Sequence, residues 1–160
     1  MRFSTVKYLL LTILVGTSTT GCYDNVQSSI PDLPVSLQLN LTTTYPTFKN
    51  SSNQYLLFEK RYLETDRIGY GGILVCTGVA LDDYGNSTYF AFDMACPYEA
   101  DKDVKVYPDE NSLGKVVCEK CGSVFDVGYG FGNPLSGPAK ETLKKYRTTI
   151  SGDYLIVSIQ

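Results

Sequence analysis

A chain of 160 residues, 43% of them apolar, has the size and composition of one domain with a real core. Its formal charge of −3 offers no basic footprint for nucleic acid. It contains no histidine, which excludes Ser–His and Cys–His nucleophile pairs, histidine general bases and every histidine-ligated metal site.

In chain order, residues 1–21 form a targeting segment. Arg2 and Lys7 make a positive start, and Tyr8–Val15 is an apolar run too short to span a bilayer. Small and polar residues then lead to Cys22. A cysteine there resembles a bacterial lipoprotein signal, in which cleavage precedes the cysteine and its thiol is acylated. Thr19 stands where such signals usually carry Leu. The alternative is an ordinary cleaved signal with an incidental cysteine. The lipoprotein reading implies an extracytoplasmic protein of the bacterial cell envelope, held to a membrane by lipid, in a compartment where disulfides persist. Removing Arg2 and Lys7 takes the charge from −3 to −5.

Residues 22–34 are polar with two prolines and predict a linker. The domain is expected over 35–160. Leu33, Val35, Leu37, Leu39 and Leu41 alternate with polar residues, the pattern of a half-buried strand. "TTTYPTFKNSSN" predicts a loop, and Tyr55–Phe58 a short strand. Ile68–Ala80 is the strongest strand, aliphatic and β-branched between Gly pairs. "DDYGN" is a turn, so Gly71–Met94 predicts a hairpin closed by Ser87–Met94. Val104–Tyr107 and Gly114–Cys118 predict a second, shorter hairpin. "GYGFGNPLSGP" predicts an irregular loop. Leu143–Thr149 and Tyr154–Ile159 end the chain as strands across the turn "SGD". The pattern is all-β, a sandwich or barrel of about ten short strands.

Four cysteines remain after Cys22: Cys76, Cys96, Cys118 and Cys121. Cys76 lies mid-strand in "ILVCTG", where a free cysteine usually packs as a small core residue. The other three belong to one unit. "CPY" at Cys96–Tyr98 is followed, with 19 residues between Tyr98 and Cys118, by "CEKCGSVFD" from Cys118 to Asp126. The unit ends in Gly137-Pro138-Ala139.

This pattern resembles the Rieske domain. That family carries Cys-x-His, a similar spacer, Cys-x-x-His-Gly-Ser with a following Phe-Asp, and a loop reading Gly-Pro-Ala. The resemblance covers roughly residues 68–159. It implies an all-β, Rieske-like sandwich or barrel with a small two-loop site subdomain, here about 95–139. Cys96 and Cys118 match the two cysteine ligands. Tyr98 and Cys121 stand where the family has its two histidines, and Gly137, Pro138 and Ala139 form the loop over the site. In a Rieske centre the cysteines hold one iron and the histidines the other, so the ligand set here is degenerate.

Three fates for the site follow from that resemblance. The cluster is lost, no cofactor is bound, and Cys96–Cys118 closes as a disulfide. A bridge around 23 residues stabilises by about 3 kcal/mol in a chain-entropy model. Alternatively Cys118 pairs with Cys121. The second fate is a mononuclear metal such as zinc on Cys96, Cys118 and Cys121, with Tyr98, Cys76 or water as fourth ligand. The third is a [2Fe–2S] cluster with atypical cysteine ligation. With the first fate the domain is a non-enzymatic structural or binding module; with the third it transfers single electrons to a protein partner. A thiol–disulfide role for Cys118 and Cys121 is a further option.

Three secondary expectations complete the reading. Tyr129 and Phe131 pack over the site. Glu99, Asp101, Asp103, Asp109 and Glu110 form a solvated acidic face. Lys140, Lys144, Lys145 and Arg147 form an exposed basic edge.

Overall fold

The computed structural model describes residues 28–159. The segment expected to be a targeting signal, and Cys22, lie outside the described residues. Eleven strands and one short helix follow in order: β1 (Val35–Asn40), α1 (Pro46–Lys49), β2 (Tyr55–Phe58), β3 (Arg67–Ile68), β4 (Ile73–Leu81), β5 (Ser87–Asp93), β6 (Val106–Pro108), β7 (Lys115–Cys118), β8 (Val124–Asp126), β9 (Asn133–Ser136), β10 (Lys145–Ser151) and β11 (Tyr154–Ser158). The expected all-β class is present, and so is a small subdomain carrying two site loops.

Seven strands form one sheet in the order β2-β4-β5-β10-β11-β1-β3, and β6-β7-β8-β9 form a second. The period-two pattern of β1 is realised: Val35, Leu37 and Leu39 are buried, and Ser36 and Gln38 are exposed. Leu37 pairs with Val157 and Val75 with Ala91, so inward residues meet across the ladders. These residues line one core cluster. The short helix α1 interrupts the predicted loop. Pro46 opens it, where the missing N–H costs nothing, and Phe48 drops into this first core.

A second cluster joins the two sheets. Leu74, Phe92 and Met94 from the large sheet side meet Val106, Val116 and Phe125 from the small one. Cys76, Cys96 and Cys118 belong to it, so the site grows from a packed floor. The "GYGFGNPLSGP" stretch, expected as irregular, contains β9. Pro134 is compatible with that strand because β9 lies at the sheet's edge, where one N–H is not needed.

The strand predicted over Ile68–Ala80 is broken after β3. The cause is Asp93, wholly buried at the end of β5. Its Oδ1 accepts from the backbone N–H of Gly71 (2.9 Å) and Ala95 (2.8 Å). Its Oδ2 accepts from Tyr70 N–H (2.9 Å) and the Tyr146 hydroxyl (2.6 Å). Donors that a continuous strand would give to a ladder go to this carboxylate instead. Burial, and then the charge of Asp93, push the Tyr146 phenol above its ordinary pKa and keep it a donor.

The segment expected as linker lies against the domain from Ser29 onward. Ile30 is buried, Ser29 N–H donates to Glu141, and Ser29 Oγ–H donates to the Pro97 carbonyl at 2.8 Å. Lys144 closes the strap, donating to the Ile30 carbonyl and pairing with Asp32. Lys144 is therefore turned inward, not part of an exposed basic edge; Lys140, Lys145 and Arg147 do face solvent.

Candidate metal centre

Cys96 and Cys118 stand at the heads of two turns with one geometry. In the first, Ala100 N–H donates to the Cys96 carbonyl (2.9 Å) and Ala100 has φ 50°. In the second, Gly122 N–H donates to the Cys118 carbonyl (2.8 Å) and Gly122 has φ 71°. Each turn ends in a left-handed residue four positions after its cysteine. Gly takes that conformation at no steric cost, whereas Ala100 carries a Cβ there. The turns are set on the frame by Cys96 N–H to the Val104 carbonyl and Cys118 N–H to the Ser123 carbonyl.

The turns bring three thiols together. The sulfurs of Cys96, Cys118 and Cys121 all lie within 4.8 Å of one another, and Cys96 Sγ is 3.7 Å from Cys121 Sγ. A tetrahedral zinc with Zn–S bonds of about 2.3 Å has sulfur–sulfur edges of about 3.8 Å. Cys96 and Cys118 are fully buried, and Cys121 sits at the rim. All four described cysteines are thiols. Cys76 is apart from the triangle, and its S–H donates to the Val127 carbonyl at 3.7 Å in the second core. That is the small-core-residue role.

The thiols differ in acidity. Burial pushes Cys96 up to about 12, although the N–H groups of Glu99 and Tyr98 point at its sulfur and act the other way. Burial likewise takes Cys76 to about 12. At Cys121 burial also acts upward, but hydrogen bonds from the Ser123 side chain and backbone and from the neighbouring thiols outweigh it, and its pKa falls.

The Gly137-Pro138-Ala139 loop braces the second turn. Ala139 N–H donates to Ser123 Oγ at 3.0 Å, and Ser123 Oγ is 3.2 Å from Cys121 Sγ. The Gly137 backbone lies against Ser123, with room for no side chain between them. Ala139 is buried beside Cys96 and Cys118, while Pro138 is exposed.

Tyr98 is 56% exposed, and among the described residues its phenol makes no hydrogen bond to the thiols. Tyr129 and Phe131, expected over the site, are 61% and 64% exposed. Their intervening glycines explain this. A Cβ on Gly130 would strike the Phe90 ring and one on Gly132 the Phe92 ring, so the loop's backbone, not its aromatics, packs on β5. Alternation then turns Tyr129 and Phe131 outward.

The acidic face also departs from expectation at one residue. Glu99 has a side chain only 14% exposed and pairs with Lys120 of the second turn at 2.6 Å. Glu99 and Lys120 thus span the two loops. Glu99, Asp93 and Ser123 were not candidates for the site from sequence. One signal was available: Cys96-x-x-Glu99 has the spacing of Cys118-x-x-Cys121.

A two-iron cluster requires two donors at each iron. The three thiols converge in a single triangle and supply three of those four donors. They fit one thiophilic ion with a fourth position to fill.

No family model and no curated protein matches the chain. Among solved structures, the chain is similar to one from the "complex of reduced oxygenase and oxidized ferredoxin in carbazole 1,9a-dioxygenase". The identity is 15%, the TM-score 0.47, and the match covers 78% of this chain and 93% of that one.

Proposed function

We propose that this protein is a non-enzymatic, lipid-anchored binding module of the bacterial cell envelope. It holds one thiophilic metal ion, such as zinc, on Cys96, Cys118 and Cys121. The observation that carries the reading is the sulfur triangle, with its 3.7 Å edge between Cys96 and Cys121. Such a site ties the two loops together and adds the binding energy of the ion to a loop-rich subdomain. Its ligands come from both turns, so the ion does what a disulfide between Cys96 and Cys118 would otherwise do.

Anchoring rests on the sequence at Cys22. Ser29 is seven positions after Cys22 along the chain, a reach of at most about 25 Å. Because Ser29 is strapped to Pro97 in the first site turn, an acylated Cys22 keeps the thiol loops close to the membrane surface. A protein partner would meet the site face at Tyr98, which is exposed beside Cys96. No described helix is long and apolar enough to cross a membrane.

The test is anaerobic purification of the mature protein with metal, sulfide and thiol assays. One zinc per chain and no acid-labile sulfide is the expected result. Iron and sulfide in equal amounts would establish the electron-transfer reading instead. A metal-free protein with two thiols lost in air would establish the disulfide reading. Mass spectrometry of the membrane fraction checks the acyl group on Cys22, and its absence removes the anchor.

A further inference from the structure

The two site turns share their closing hydrogen bond and their left-handed residue, and this correspondence assigns a ligand. Cys96 corresponds to Cys118, Ala100 to Gly122, and therefore Glu99 to Cys121. The second turn supplies sulfur from its first and fourth residues. The first turn supplies sulfur from its first residue and presents a carboxylate at its fourth. Paired turns with donors at these positions are the usual frame of a tetrahedral site. We infer that Glu99 is the fourth ligand of the metal held by Cys96, Cys118 and Cys121, and that Lys120 holds its place in the metal-free protein.

Two features support this. The Glu99 side chain is mostly buried, although it sits on an exposed turn among acidic residues that face solvent. It reaches across to the second turn, where Lys120 lies between Cys118 and Cys121. Its carboxylate lies outside the triangle's 4.8 Å envelope in the metal-free arrangement, with Oε2 on the Lys120 ammonium at 2.6 Å. Rotation of one side chain from Lys120 to the ion exchanges one cation for another. The three thiols lose their protons to solvent as the ion enters, and the carboxylate changes partner without gaining or losing one. Tyr98, at the third position of its turn and exposed, has no counterpart among the ligands of the second turn.

The inference rests on the metal reading above, and the experiment separates the two. Reduced protein is titrated with Zn2+ and with Co2+, whose visible bands report tetrahedral geometry and whose near-ultraviolet charge transfer counts thiolates. Wild type is expected to bind one Co2+ with three thiolates. Glu99→Ala should weaken binding by at least about tenfold, the smallest loss that even outer-shell changes give. Glu99→Cys should tighten binding and raise charge transfer from three thiolates to four. Lys120→Ala should not weaken binding. Wild-type affinity in Glu99→Ala overturns the assignment while leaving a three-thiolate site. An equal loss in Lys120→Ala and Glu99→Ala also overturns it, because that is the result for an ion pair that only braces the loops. No binding by wild type removes the metal reading and this inference with it.

Discussion

The two site turns share a closing hydrogen bond and a left-handed residue but are braced by different chemistry. Below Cys96 lies Asp93, a buried carboxylate accepting four hydrogen bonds, three from backbone and one from Tyr146. Below Cys121 lies Ser123, a neutral hydroxyl that joins Ala139 N–H to the rim thiol. The first turn is further held by Ser29 on Pro97. The second is held by close packing of Gly137. A charged acceptor with many partners costs more to delete than a hydroxyl with two. The first turn is thus built into the fold of the large sheet. The second is braced around the rim thiol of Cys121.

The largest effect that breaks this comparison is Asp93→Ala. It strands several buried donors at about 1–3 kcal/mol each, so a loss of more than about 3 kcal/mol is expected in urea unfolding. Asp93→Asn keeps shape and some acceptors and should cost less. A loss under about 1 kcal/mol in Asp93→Ala would mean that water replaces the carboxylate.

Ser123→Ala is the matching change on the other side. It should cost about 1–3 kcal/mol by leaving Ala139 N–H without its acceptor. It should also raise the Cys121 pKa, because the Ser123 side chain holds it down. Alkylation rate against pH reads that shift separately from stability.

Smaller and of opposite sign are two changes at the left-handed positions. Gly122→Ala should destabilise by about 1 kcal/mol, and Ala100→Gly should stabilise by up to about 1 kcal/mol. Thermal unfolding of both variants tests whether the turns are alike in solution. Equal signs would end the equivalence.

The mildest test leaves the fold intact. Cys121, with a lowered pKa and a rim position, should alkylate first in the metal-free protein, while Cys96 and Cys76, pushed up to about 12, stay protected until unfolding. Because the folded protein favours the Cys121 thiolate, its contribution to stability is full above the ordinary thiol value of 9.0. It fades as pH falls through the lower folded-state pKa. Peptide mapping after a short iodoacetamide pulse decides the order of labelling.

Much of the large sheet was legible in the residues. β1, β2, β5 and β11 follow from alternation and β-branched runs, because side-chain period is a local property. The break between β3 and β4 was not legible, since the acceptor that causes it, Asp93, lies more than twenty residues away. β9 was hidden by Pro134, which is compatible with a strand only at an edge, and by the flanking Gly132 and Gly137. At the site, Cys96, Cys118 and Cys121 stood out by spacing. Tyr98 was singled out by the family pattern and not by this chain's turn geometry, which puts Glu99 opposite Cys121.

The sequence by itself determined the all-β class, the donor types and the absence of imidazole, because these are properties of composition and short-range pattern. Only the tertiary structure decided that three sulfurs meet in one triangle, that Cys76 stands apart in the core, and that Glu99 crosses to the second turn. Those facts depend on two loops separated by more than twenty residues being set side by side on one packed floor. Local propensity carries no information about which distant loops a sheet brings together.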